Sequence, residues 1–238
     1  MQVTRHQIFQ TSLISALTQG VYDDDMTLGE LLGHGSFGLG TFNGLDGEMM
    51  ILDGVCYRLR SDGAVTQPGL EEKTPYAVVT NFVPHITRQF TGPMTRDEFS
   101  AAVDEIQFSS NYMYALRVRG RFAWASARTV EQQRRPYRPM VEATENEDVV
   151  RLENFTGTVG GFRTPLYESG ISVAGCHAHV INEDRTWGGH LVDFELVEAT
   201  VELCLCTDLK LRLPLTPEFS QADLDRDFSE DIKKVEHQ

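Results

Sequence analysis

His177 and His179 stand two apart in Gly175-Cys-His-Ala-His-Val-Ile, and His190 follows the polar stretch Asn182 to Gly189. Imidazoles at that spacing are metal-ligand chemistry, because side chains of an extended strand alternate between faces. Ile171, Val173, Gly175, His177 and His179 then point one way, and Cys176 and Ala178 the other. The intervening Asn-Glu-Asp-Arg-Thr-Trp-Gly-Gly is rich in turn formers and predicts a reversal that carries His190 onto the neighbouring strand, beside the first two. Three neutral imidazoles so placed form the usual catalytic zinc platform, with ligand distances of about 2.0–2.1 Å and a position left for water or substrate. A lone His-x-His is more often incidental than ligating; the third histidine in register turns the pattern towards a metal. Cys176 faces away from that patch and reads as a small buried hydrophobe.

The elements that must hold these residues are mostly strands. Runs of β-branched and aromatic residues bounded by Gly, Asn and Asp predict strands at 37–43, 47–52, 55–60, 75–83, 112–126, 150–160, 171–181, 189–198, 200–206 and 209–213. Helices are predicted at 8–18, at 27–32, at 95–106 with Thr95 as N-cap and Glu98 as its capping-box partner, and near 217–228. Strand runs broken by a few helices mean an α+β fold on mixed or antiparallel sheets, not a doubly wound nucleotide-binding fold. By its length the chain is either one large or two small domains, and if two, the polar stretch Glu131-Gln-Gln-Arg-Arg-Pro-Tyr-Arg-Pro marks the boundary, near residue 135.

At 238 residues and 41% hydrophobic content the chain can bury a full core without disulfides. A net charge of −14, from 35 acidic against 21 basic residues, argues against nucleic-acid or anionic-membrane partners, which demand a basic surface. It also means that an anionic substrate needs a local cation. Cys56, Cys176, Cys204 and Cys206 show no framework spacing and read as reduced thiols, the last two on one face of a strand. With neither a signal h-region nor ~20 consecutive apolar residues, the expected setting is soluble and cytoplasmic. The glycine-rich His34-Gly-Ser-Phe-Gly-Leu-Gly-Thr-Phe-Asn-Gly-Leu-Asp-Gly-Glu lacks the Lys-Ser/Thr ending of a phosphate loop and no long helix follows it, so its glycines are read as turns and close backbone approaches. Glu48 at its end enters the apolar Met-Met-Ile-Leu, which suits either a solvated edge residue or a carboxylate planted beside a core.

The segment from Tyr22-Asp-Asp-Asp-Met-Thr-Leu-Gly-Glu-Leu-Leu, the glycine-rich run, Lys73-Thr-Pro-Tyr-Ala-Val-Val-Thr and the histidine hairpin together resemble bacterial α-acetolactate decarboxylase, nearly end to end from about residue 10. The resemblance implies a zinc ion on His177, His179 and His190, two site glutamates at Glu48 and Glu236, and an active-site arginine at Arg128 in Phe122-Ala-Trp-Ala-Ser-Ala-Arg. It implies further two domains, residues 1–135 and residues 136–238, the second β-rich and carrying the histidines, and a homodimer across which the mixed N-terminal sheet continues. Cys176 and Ala178 depart from it, where bulkier residues are expected.

What the resemblance implies chemically is decarboxylation of 2-acetolactate to acetoin and CO2 through a metal-stabilised enediolate, with Arg128 gripping the carboxylate. Glu48 and Glu236 are read either as further ligands or as groups that position substrate and relay protons. Glu236, two residues from the end, would need the tail Asp231-Ile-Lys-Lys-Val-Glu-His-Gln to fold back, anchored by Ile232 and Val235, where a frayed terminus is the default. A cupin-like oxygenase or isomerase is the alternative, since His177, His179 and Glu183 satisfy part of that motif, although the flanking glycine spacing and the position of the third histidine do not. A keto-acid isomerase or a non-enzymatic ligand-binding module would carry similar parts, and turnover separates them.

Overall fold

A computed structural model describes residues 6–145 and 149–236, the last without its side chain. In chain order the first elements are β1 (Gln7–Thr11), α1 (Ile14–Thr18), α2 (Leu28–Leu32), β2 (Phe37–Thr41), β3 (Glu48–Leu52), β4 (Val55–Leu59), β5 (Val65–Thr66) and β6 (Ala77–Thr80). Then come β7 (Ile86–Thr95), α3 (Arg96–Ile106), β8 (Met113–Arg128), α4 (Met140–Ala143), β9 (Val149–Thr164), β10 (Gly175–Asn182) and β11 (Gly188–Cys206). The chain finishes with β12 (Asp208–Arg212), α5 (Pro217–Gln221) and α6 (Ser229–Glu236).

The strands form two sheets, one ordered β12-β1-β6-β2-β3-β4-β5 and the other β10-β9-β8-β11-β7. Among the described residues every strand pairing is antiparallel except β1 with β12, which gives the mixed α+β architecture the sequence predicts. Each sheet takes strands from both sides of residue 135: β12 joins the first, and β7 and β8 join β9–β11 in the second. A further pairing of β10 with β11 closes β8, β9, β10 and β11 into a circuit at one end.

Alternation along the strands sorts the core into layers. Phe37, Leu39, Met50 and Leu52 of the first sheet meet Ala115, Phe162, Ile181, Cys204 and Cys206 of the second. The outer face of the first sheet packs Met49, Ile51 and Val79 against Leu28 and Leu31 of α2. The outer face of the second packs Leu116, Val180 and Leu203 in one cluster with Phe99 and Val103 of α3. Both helices begin in capping boxes: Thr27 with Glu30, and Thr95 with Glu98. No helix among the described residues is long and apolar enough to cross a membrane.

Three readings of the sequence need correction. Residues 8–18 are not one helix: the first part is strand β1, and only Ile14–Thr18 is helical. Gln10, which looks like the polar face of a helix, is buried, its amide donating to Ser12 O at 2.8 Å and Ile171 O at 2.7 Å. Strand β7 was not expected, because it is largely exposed at a sheet edge and shows no apolar alternation. Residues 189–198 and 200–206 are one strand, β11, whose register shifts against β8 hide its continuity.

Gly161 ties this packing to the histidines. A Cβ there would lie 2.2 Å from His177 O on the paired strand, far inside van der Waals contact. Gly161→Ala should therefore prise β9 from β10 and destabilise the protein by about 1–3 kcal/mol, the range for overpacking. Urea unfolding measures it; an unchanged midpoint would show that the two strands are less tightly paired than described.

Candidate active site

The histidine hairpin forms as its alternation requires. His179 lies directly opposite His190 across the β10–β11 pair, and His190 in turn lies opposite Arg128, the last residue of β8. One register line thus carries Arg128, His190 and His179 across three strands. His177, two residues along, shares the face of His179. All three histidines are buried, and one ring nitrogen from each lies within 4.8 Å of the others.

Their spacing can be tested against a metal. Imidazoles bound at about 2.0–2.1 Å to one tetrahedral ion place their ring centroids roughly 5.2 Å apart. The observed separations are 5.2 Å for His177 to His179, 5.0 Å for His177 to His190 and 5.7 Å for His179 to His190.

The state of His179 is set by its surroundings. Its Nδ1 lies 2.7 Å from the carbonyl oxygen of Met49 on β3, a contact that requires Nδ1 to carry the proton and donate. Nε2 is then a bare lone pair, buried and without a hydrogen-bond partner; Glu48 Oε2 approaches it to 3.4 Å without hydrogen-bond geometry. Burial, followed by the charge of His177, pushes the pKa of His179 down to about 3, so the ring is neutral. The Glu48 contact is therefore not an ion pair. A buried lone pair with nothing to accept is an electrostatic deficit that a cation would fill, and the all-nitrogen donor set suits a borderline metal such as zinc.

Glu48 reaches the cluster from the other sheet. It is the first residue of β3, and Gly47 before it adopts φ +93° where a Cβ would meet Leu59 O at 2.6 Å, so only glycine fits the turn that delivers it. Thr41 Oγ1 donates to Gly47 O at 2.9 Å and holds that turn. Glu48, Arg128, His177 and His190 line a cavity of about 30 Å³ with Thr41 and Tyr76. Its apolar wall is Ile14, Val130, Met140 and Val235. Thr41 and Tyr76 were not singled out from the sequence as site residues; Tyr76 lies in the Lys73-Thr-Pro-Tyr motif, but nothing in that motif marks its side chain for the site.

The tail does fold back. Ser229–Glu236 is helix α6, with Ile232 and Val235 buried as its anchors and contacts to α1 and α4. Glu236 closes that helix, and its side chain lies outside the described residues. Glu183, the carboxylate of the cupin-like fragment, is exposed in the hairpin turn and outside the histidine cluster. Cys176 and Ala178 line a larger groove of about 670 Å³ on the opposite face of β10. Size does not make that groove the site: the convergent ligating groups are on the smaller cavity.

Residues 8–226 match the sequence model of the family described as alpha-acetolactate decarboxylase. A protein of that name from Bacillus subtilis (strain 168) is 43% identical over 231 residues, covering 97% of this chain and 91% of its own length. One from Methylococcus capsulatus is 42% identical, covering 98% and 89%. The crystal structure of alpha-acetolactate decarboxylase from Bacillus subtilis strain 168 superposes with a TM-score of 0.96 at 42% identity, covering 98% of this chain and all of that one. A Staphylococcus aureus protein described as similar to alpha-acetolactate decarboxylase gives 0.92 at 29% identity, covering 97% of this chain.

Neutral His179 has a consequence for stability. Its pKa lies near 6.5 unfolded and about 3 folded, so between those values the unfolded chain binds the extra proton. Stability is then intact above pH 6.5 and falls as pH drops towards 3, by at most ~1.4 kcal/mol per pH unit from this group. Urea unfolding of metal-free protein from pH 7 to 5 should show that slope, and His179→Asn should flatten it. Equal slopes in the two proteins would remove His179 as the cause.

Proposed function

Because this chain belongs to the alpha-acetolactate decarboxylase family, and is a carboxy-lyase, we propose that His177, His179 and His190 hold zinc and that the site so formed converts 2-acetolactate to acetoin and CO2. The observation that carries the zinc reading is the buried, partnerless Nε2 of His179 within a triangle of rings at metal-binding separation. When bound, zinc supplies a Lewis acid where negative charge develops on the substrate's oxygens.

The protein's own groups account for the rest. Losing CO2 breaks a carbon–carbon bond and leaves its electron pair delocalised onto the ketone as an enediolate; the product then gains a C–H bond that the substrate lacks. Arg128, buried at the end of β8 and lining the cavity, holds the substrate carboxylate by charge-assisted hydrogen bonds until it leaves. Glu48, beside His179 and lining the same cavity, holds or moves a proton at the substrate hydroxyl. We assign Glu236 the companion role on the strength of the family resemblance and of helix α6, which brings its neighbour Val235 to the cavity wall. Ile14, Val130, Met140 and Val235 exclude water around the substrate's methyl groups.

The same reading takes the enzyme to be cytoplasmic, supported by four free cysteines. It takes it to be a homodimer, supported by Leu211 and Leu213, exposed in and just beyond β12 at an edge of the seven-stranded sheet.

Acetoin and CO2 release from racemic 2-acetolactate, with and without chelator, tests the function. Activity should vanish on chelation and return with zinc, and His179→Ala should lose metal and activity together. Full zinc in an inactive His179→Ala protein would overturn the ligand assignment. Arg128→Gln and Arg128→Lys should keep zinc and fold yet lose roughly 10²–10⁴-fold in rate, because a lysine point charge cannot reproduce the guanidinium fork. Near-parent turnover in Arg128→Gln would remove it from the site. For Glu236 the cleaner variant is Glu236→Gln, since truncating the tail would also take buried Val235 out of the core.

A further inference from the structure

A second set of ligating side chains converges away from the active site. His6, just before β1, His85, just before β7, and Cys204 in β11 each bring one ligand atom within 4.8 Å of the others. The two imidazoles meet edge to face with ring centroids 4.8 Å apart. Cys206, also buried, stands two residues along from Cys204 on the same strand face.

The backbones that carry these residues are tied down. His85 N donates to Leu203 O at 2.8 Å, and Leu205 N donates to His85 Nδ1 at 3.1 Å, which pins the start of β7 against β11. His6 O accepts from Thr207 N at 3.0 Å, fixing the start of β1 to the end of β11. His6 and His85 are half-buried, which leaves an ion a way in, while Cys204 closes the inner side.

We infer that His6, His85 and Cys204 form a second metal site, for a borderline divalent transition ion of the zinc class. A donor set of two imidazoles and a thiolate excludes magnesium and calcium, which take oxygen ligands. The contact from Leu205 gives the metal-free His85 its proton on Nε2; a metal at Nε2 moves that proton to Nδ1, and a metal at Nδ1 takes the accepting lone pair, so either breaks one hydrogen bond, while the Cys204 thiol releases its proton to solvent. One neutral hydrogen bond is small against coordination by a thiolate and two imidazoles.

The site is separate from the active centre. In register, His177 lies opposite Phe162, Phe162 opposite Ala115, and Ala115 opposite Cys204. That is three strand spacings, about 14–15 Å across one sheet face. Its place at the junction of β1 with β7 and β11 makes it a clamp between the two sheets, not a participant in decarboxylation.

Cobalt distinguishes the two sites. Untagged protein, stripped of metal and titrated with Co²⁺ alone, should bind about two ions per chain, and one of them should show a sulfur-to-metal charge-transfer band that a three-imidazole site cannot give. Cys204→Ala should abolish that band and one equivalent of binding. The His6→Asn change, at a half-buried position, should weaken the band-forming ion by at least ~10-fold without disturbing the core. His177→Ala should keep the band and lose the other equivalent. Binding of a single ion with no such band, or a band that survives Cys204→Ala, would overturn the inference.

Discussion

The contact from His179 to the carbonyl of Met49 fixes the rest of the site. It is a hydrogen bond between the two sheets, from β10 of one to β3 of the other. By committing Nδ1 as the donor, it leaves Nε2 as a lone pair pointing into the cluster, and burial keeps the ring from taking a second proton. A solvated histidine would sample both tautomers and the charged form. Here the fold selects the one state in which the imidazole can act as a ligand, a role that backbone carbonyls commonly play for metal-binding histidines.

That contact needs the sheets to be in register. Glu48 and Met49 are neighbours on β3, so the strand that orients His179 also delivers the carboxylate beside it. The closed circuit of β8 to β11 does the complementary work. Without the short β10–β11 pairing, Arg128 and His179 would sit on strands separated by β9, and only the closure through His190 brings them to one line. Helices α1, α4 and α6 then cap the cavity with Ile14, Met140 and Val235.

The hairpin was legible because it rests on local rules: period-two alternation puts His177 and His179 on one face, and a turn-rich stretch of the right length returns His190. The capping box at Thr95 was legible for the same reason, since its partner Glu98 lies three residues on; the one at Thr27 with Glu30 follows the same rule but was not singled out. Arg128 was not legible from the residues themselves. It ends a 16-residue strand, and which residue of β11 it faces depends on register shifts that no local pattern announces. Glu48 was ambiguous because a carboxylate opening an apolar strand looks the same at a solvated edge and beside a core. For these residues and Glu236 the family resemblance supplied what periodicity lacked. Strands β1 and β7 misled for opposite reasons: buried Gln10 hides an inward-facing strand behind a polar residue, and β7 is too exposed to show an apolar pattern.

Charge explains why so acidic a protein can work on an anion. The net charge of −14 is spread over the surface, and at physiological salt exposed charges more than about 8 Å away are largely screened. What an incoming carboxylate meets is the cavity itself. Among its described lining residues Arg128 is the one permanent cation and Glu48 the one carboxylate; His177 and His190 share the lining, and neutral His179 adjoins Glu48. These two fixed charges nearly cancel, so the described lining alone offers a keto-acid anion little net attraction. A divalent ion held by the three imidazoles would change the sign of the site, in a buried, low-dielectric place where each charge counts for more than at the surface. On the reading proposed above, Arg128 would then not have to neutralise the substrate; it would have only to set which end of the molecule points away from the metal, a task that suits a planar fork facing a carboxylate.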